Sequence, residues 1–214
     1  MYDTVLQARK IAEKALLPVM VCFDGFIISH MNEPVDILSQ KQADKFIGPY
    51  KPFVELRPSK PVCVGPISFP NTFMEFKQAQ QEAMTDAKKA IVDINKEFKK
   101  DFGRGYGDGL IETYKLGKHG VLAMGSVCGT IRHVVESEKD VGLIKLRSFR
   151  PFPNEELRKI AKGLDSIAVI DKDISFGNHG ALYTEVCAAL RGLDVKVSGF
   201  IAGLGGRDIK PTHI

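Results

Sequence analysis

Cysteine is sparse in this sequence and never grouped. Cys22, Cys63, Cys128 and Cys187 are scattered through 214 residues, with no CxxC pair and no histidine at ligand spacing. Zinc and iron–sulfur sites need several thiolates converging from short spacings, so neither is expected within the chain. Reduced thiols of a cytoplasmic protein are the expectation. Charge of one sign is lacking too: 30 basic against 26 acidic side chains leave a formal +4, and no basic run is interleaved with aromatics. That argues against nucleic acid as a partner. No apolar run approaches the roughly 20 residues of a membrane span, and the N-terminus opens on a charged helical pattern rather than a signal peptide. No Ser/His/Asp or Cys/His spacing supports a nucleophilic catalyst.

What is present reads as a globular α/β chain. Hydrophobic residues make up 44% and charged residues 26%, an ordinary balance that supports a core without disulfide staples. Val5, Ala8, Ile11, Ala12, Ala15 and Leu16 recur at helical spacing, with Asp3 as a candidate N-cap and Pro18 as the stop. The apolar run 19–23 then predicts a strand covered on both faces, which needs parallel neighbours that nothing upstream supplies. The chain is therefore expected to begin inside a domain. Between residues 33 and 61, Pro34, Pro49, Pro52, Pro58 and Pro61 punctuate a stretch without periodicity, read as an extended interdomain linker. A long helix is predicted over 72–102 from the stripe Ala79, Ala83, Ala87, Ile91, Ile94 and Phe98. Beyond it, strands at 121–124, 141–146, 167–170 and 195–201 alternate with helices at 129–137, 154–162 and 180–191. Four strands in that alternation predict a small three-layer domain with a mainly parallel sheet.

Several residues invite a functional reading. The turn Gly125-Ser126-Val127-Cys128-Gly129-Thr130 follows a strand and opens a helix, so Gly125, Ser126, Gly129 and Thr130 could hold a phosphate or carboxylate, or pack against a neighbouring chain. The spacing is not GxGxxG, and no P-loop lysine follows. His30 ends the first strand region, where α/β sheets gather ligands. Arg147, Arg150 and Arg207 suit either an anion or a structural ion pair at an interface. Gly107-Asp108-Gly109 imitates the start of a thiamine-diphosphate motif, but no buried strand precedes it and no paired Asn follows near 134–142. That match is rejected.

One family carries all the longer strings in the same order. Leu17-Pro18-Val19-Met20-Val21-Cys22-Phe23-Asp24-Gly25-Phe26 with Ser29-His30, then Phe73-Met74-Glu75-Phe76, Met124 through Thr130, Leu146-Arg147-Ser148-Phe149-Arg150-Pro151-Phe152-Pro153, Asp173-Ile174-Ser175-Phe176-Gly177 and Gly199-Phe200-Ile201-Ala202-Gly203-Leu204-Gly205-Gly206-Arg207-Asp208 resemble the alpha subunit of pyruvate:ferredoxin oxidoreductases. The resemblance implies a remnant helix and strand of a pyrimidine-type thiamine-diphosphate domain over 1–30. It further implies a Pro-rich linker over 31–70 and a transketolase C-terminal-like domain over 71–214. It also implies membership of a cytoplasmic complex that interconverts pyruvate, coenzyme A and oxidised ferredoxin with acetyl-CoA, carbon dioxide and reduced ferredoxin. Beta, gamma and delta subunits would be the partners, with ferredoxin reached through the complex. Thiamine diphosphate, magnesium, iron–sulfur clusters and coenzyme A would be held largely elsewhere. No catalytic, cofactor or metal residue of the family maps onto this chain, which is expected to be inactive alone and to serve assembly. A 2-oxoglutarate or 2-oxoisovalerate oxidoreductase subunit remains an alternative, as does a stand-alone module binding an anion or nucleotide.

Overall fold

The computed structural model describes residues 1–214. The chain divides into two compact units, one formed by Met1–Val21 with Val35–Ile94 and the other by Cys22–Pro34 with Asn95–Ile214.

In the first unit α1 (Tyr2–Ala15) ends at Leu16, which turns left-handed at φ 52°. Pro18, two residues on, cannot continue a helix. The expected connector is not extended throughout, because α2 (Gln40–Ile47) forms inside it. Its start is written locally: Ser39 and Gln42 cap each other's backbone in a reciprocal box. α1 and α2 bury Ala8, Ala43 and Phe46. Lys10 Nζ donates to the Phe46 carbonyl at 3.0 Å. The strand expected at 19–23 does not form, and the sheet does not include that run. A strand exists by pairing, and no segment of this chain pairs with these residues, so Met20 stands 86% exposed.

α3 (Phe73–Phe102) runs for 30 residues, about 45 Å at the rise of an α-helix. Its last turns belong to the second unit. There Phe98 is fully buried, its ring 4.8 Å from Phe102 in an edge-on arrangement.

The second unit is built on five strands rather than four. They are β1 (Ile111–Tyr114), β2 (His119–Ala123), β3 (Val141–Leu146), β4 (Ser166–Asp171) and β5 (Lys196–Ile201), in spatial order β1-β3-β2-β4-β5. β2 pairs in parallel with β3 and β4, and β4 with β5. β1 is the added strand, antiparallel on the edge with Ile111 opposite Leu146. Four residues leave too little alternation to be seen in sequence. The turn before β1 is set by Asp108, whose Oδ1 accepts from the Leu110 and Ile111 amides at 2.8 Å each. Helices α4 (Val127–Val135), α5 (Asn154–Ala161) and α6 (Ala181–Leu190) fill the crossovers. Val121, Ala123, Val127, Cys128, Ile131, Val135, Leu143 and Ile170 form one apolar cluster, with Ile209 and Ile214 of the C-terminal tail packed against it.

Gly142 shows how tightly the edge is built. A Cβ there would run into the backbone of Lys115 and Leu116. Backbone cannot swing aside as a flexible side chain does, so Gly142→Ala is expected to cost about 1–3 kcal/mol, read as a lower urea midpoint with unchanged slope.

Candidate functional site

The strand order determines where a crevice must open. From β2 the chain moves one way to β3, then crosses back to β4 and on to β5. In such sheets right-handed crossovers place helices on opposite faces on either side of the reversal, leaving a gap at the carboxyl ends of the two strands that flank it. Those strands are β2, followed by Ser126, and β4, followed at once by Lys172.

The gap is filled by the chain's own carboxylate. Asp24 Oδ2 accepts the Ser126 amide at 2.7 Å, and Asp24 Oδ1 accepts from Lys172 Nζ. The same ammonium lies 3.4 Å from Ser126 Oγ. Gly125 makes room for this contact: it sits at φ 80°, and a Cβ would fall 2.7 Å from Asp24 Oδ2. A carboxylate at the N-terminus of α4 also meets the positive end of the helix dipole. Burial by itself pushes the Asp24 carboxyl upward. The Lys172 hydrogen bond, the Ser126 amide and the Lys172 charge together outweigh it, holding the group below its ordinary 3.8. A depressed folded value means that this stabilisation is present above pH 3.8 and lost as pH falls through the folded value. Lys172→Met is therefore expected to lower stability at neutral pH by about 1–3 kcal/mol. The gap from wild type should narrow as pH falls below 3.8 and close once pH is below the folded value, as measured by urea unfolding across that range.

The residues singled out from sequence are thus differently employed. Ser126 binds Asp24, and Gly125 gives it space. Gly129 is exposed and Thr130 half-buried on the first turns of α4. A shallow groove of about 490 Å³ runs beside this turn, lined among others by Glu112, Tyr114, Ser126, Gly129, Arg132 and Lys145. Arg147 donates to Glu112 at 2.7 Å and stacks 4.4 Å from the Tyr106 ring. Arg150 pairs with Glu185 at 2.5 Å. Arg207 is exposed directly after the short 3-10 turn Leu204–Gly206 that follows β5. His30 is exposed, with its ring 5.9 Å from Phe26. Sequence reasoning missed the Asp24–Lys172 pair. The available signal was an acidic residue next to a glycine at 24–25 and a lysine directly after a buried strand.

Cys128 borders the groove but is buried, and desolvation pushes its thiol up to about 12. It stays protonated at neutral pH and is a poor nucleophile. Iodoacetamide at pH 8 is expected to label the exposed Cys22 and Cys63 of the native chain and to spare Cys128, as read by peptide mass mapping. Asp108, the one residue imitating a diphosphate–magnesium ligand, has a carboxylate oxygen occupied by two backbone amides, so it does not fit that role. No cluster of three His, Cys, Asp or Glu side chains is placed to hold a metal, and no helix is long and apolar enough to cross a membrane.

Residues 1–96 match the family model described as pyruvate flavodoxin/ferredoxin oxidoreductase, thiamine diP-binding. Residues 118–214 match pyruvate:ferredoxin oxidoreductase core domain II. The chain is 47% identical to pyruvate synthase subunit PorA of Methanocaldococcus jannaschii, over 99% of this chain and 57% of that protein. It is 44% identical to the PorA subunit of Methanothermobacter thermautotrophicus, over 99% of this chain and 56% of that one. Ketoisovalerate oxidoreductase subunit VorA of Pyrococcus abyssi is 40% identical over 100% of this chain and 56% of that protein. The chain thus spans little more than half the length of these relatives. A likeness to 2-oxoglutarate:ferredoxin oxidoreductase from Magnetococcus marinus, at TM-score 0.35 and 15% identity over 63% of this chain and 22% of that one, is too slight to carry an argument. Two family models in sequence order, with relatives aligned along nearly every residue, give one result: the chain belongs to the pyruvate:ferredoxin oxidoreductase family.

Proposed function

We propose that the chain forms part of the alpha subunit of a pyruvate:ferredoxin oxidoreductase, acting in the conversion of pyruvate, coenzyme A and oxidised ferredoxin to acetyl-CoA, carbon dioxide and reduced ferredoxin. The observation that carries this reading is the 47% identity to a pyruvate synthase subunit along 99% of the chain. In this reading residues 1–30 end a thiamine-type domain, 31–70 link it onward, and 71–214 form a transketolase C-terminal-like layered domain. The setting is cytoplasmic, with beta, gamma and delta subunits and ferredoxin as partners. Thiamine diphosphate, magnesium, iron–sulfur clusters and coenzyme A supply carbanion and electron-transfer chemistry from elsewhere in the complex. This chain contributes assembly, with His30, Gly129, Thr130, Arg150 and Arg207 among the surface residues available to neighbours.

Large apolar side chains support the assembly role. Phe26 is 80% exposed and Phe176 94%, and Phe53, Leu56, Ile67 and Met74 are also open to solvent. Exposure on this scale marks surface meant for a partner. The test is co-expression with the remaining subunits of such an oxidoreductase. Co-purification and coenzyme A-dependent ferredoxin reduction by pyruvate support the proposal, and a chain that stays separate refutes it. Activity of the isolated chain would overturn the assembly role. A second reading, a 2-oxoisovalerate enzyme, is favoured by the 40% identity to the ketoisovalerate subunit. Comparing kcat/KM of the complex for pyruvate, 2-oxoisovalerate and 2-oxoglutarate separates them. Calorimetry of the chain with coenzyme A and nucleotides tests the stand-alone nucleotide module, for which tight one-to-one binding is required.

A further inference from the structure

We infer that the crevice between the carboxyl ends of β2 and β4 is a receptor for small anions, which the chain fills with its own Asp24 and which a free carboxylate or phosphate enters when Asp24 is withdrawn. The inference is independent of the subunit role proposed above.

Five observations carry it. The donors recognise the carboxylate group itself rather than an aspartate: Oδ2 takes the Ser126 amide at 2.7 Å, and Oδ1 takes the Lys172 ammonium. Formate or a phosphate oxygen pair offers the same two acceptors. These donors come from opposite sides of the strand-order reversal, where open α/β sheets bind ligands, while Asp24 arrives from 102 and 148 residues away in sequence. The cation is built in, since the Lys172 side chain is 22% exposed and the Asp24 side chain 15%. Withdrawing the acid therefore leaves a half-buried ammonium without its partner, a charge that favours any anion able to reach it. The segment bearing Asp24 buries no large apolar side chain fully, since Phe23, Phe26, Ile27, Ile28 and Met31 around it are all exposed to solvent in part. Gly125 keeps the oxygen position clear of side-chain atoms.

The test is chemical rescue in the full chain. Asp24→Gly removes the carboxylate, and thermal unfolding is followed against sodium formate, inorganic phosphate and sodium chloride at matched ionic strength. Formate or phosphate is expected to raise the midpoint saturably by about 2–4 °C over chloride. The gain should vanish in the Asp24→Gly, Lys172→Met double variant and be absent in wild type. The arm that responds identifies the anion: formate alone means a carboxylate site, and phosphate as well means a general oxyanion site. Equal effects of all three salts, or a gain that survives in the double variant, would overturn the inference. Should Asp24→Gly fail to fold in chloride, refolding yield decides. Recovery in formate or phosphate supports the receptor, and no recovery in any salt refutes it. In the folded variant the Ser126 amide resonance is expected to shift on titration with the active anion, and a stationary Ser126 signal counts against the site.

Discussion

Asp171→Ala is expected to lower the stability of the sheet unit by about 2–4 kcal/mol, because it leaves two amides without acceptors inside the protein. Asp171 ends β4 at 2% exposure. Its Oδ1 accepts the Leu182 amide and its Oδ2 the Tyr183 amide, each at 2.9 Å. These are among the first amides of α6, whose own N-cap position is Gly180 and offers no side chain. A Cβ at Gly180 would collide with the Asp171 carboxylate, so the glycine and the aspartate form one cap assembled from two elements. Urea unfolding measures the loss, and hydrogen exchange should show the first turn of α6 opening first. Burial pushes the Asp171 carboxyl above its ordinary 3.8, against the two amides that draw it down and with Asp173 nearby adding to the rise. The folded state therefore holds this proton more tightly than the unfolded chain does. Its contribution is full below pH 3.8 and declines as pH rises through the folded value. Asp171→Asn, a neutral mimic, should accordingly lose ground to wild type at low pH and regain some as pH rises.

Phe98→Ala is expected to cost about 3–5 kcal/mol, the transfer and cavity cost of deleting a buried ring. Phe98 has no solvent exposure. Its ring meets Phe102 at 4.8 Å, and the Arg104 guanidinium lies 5.9 Å from the ring centre. The cost arises where the last turns of α3 are bound into the second unit, so the variant should expose that end of the helix to proteolysis. Phe98→Leu keeps most of the volume and should cost less than about 1.5 kcal/mol. A difference of under 1 kcal/mol between wild type and the alanine variant, measured by urea unfolding, would contradict this packing.

What the sequence made legible follows from which forces act locally. β3 lies where its apolar run predicts, and α3 begins one residue from its predicted start, because long periodic or uniformly apolar segments carry their own signal. The α3 stripe is buried at Ala87, Ile94 and Phe98, while Ala79 nearer its start is exposed, so periodicity marked the face but not how much of it is covered. α2 hid inside a Pro-rich stretch because eight residues show little periodicity, and its capping box was the readable part. β1 went unseen for the same reason. The run 19–23 was misread because hydrophobicity reports a preference for burial, whereas a strand also needs a neighbour to bond. At the crevice the glycine turn was legible and its occupant was not. Asp24, Ser126 and Lys172 meet only through tertiary folding, and no local rule connects them.

The ties from Asp24 span 102 and 148 positions along the chain, so each closes a very long loop for the sake of one or two polar contacts. Closing such loops is entropically unrewarding until the sheet is already standing, which puts this junction among the late events of folding. The segment around Asp24 should remain loose on the nascent sheet after the strands have paired. Its exposed phenylalanines and isoleucines would then be the part of the new chain most in need of a protecting partner.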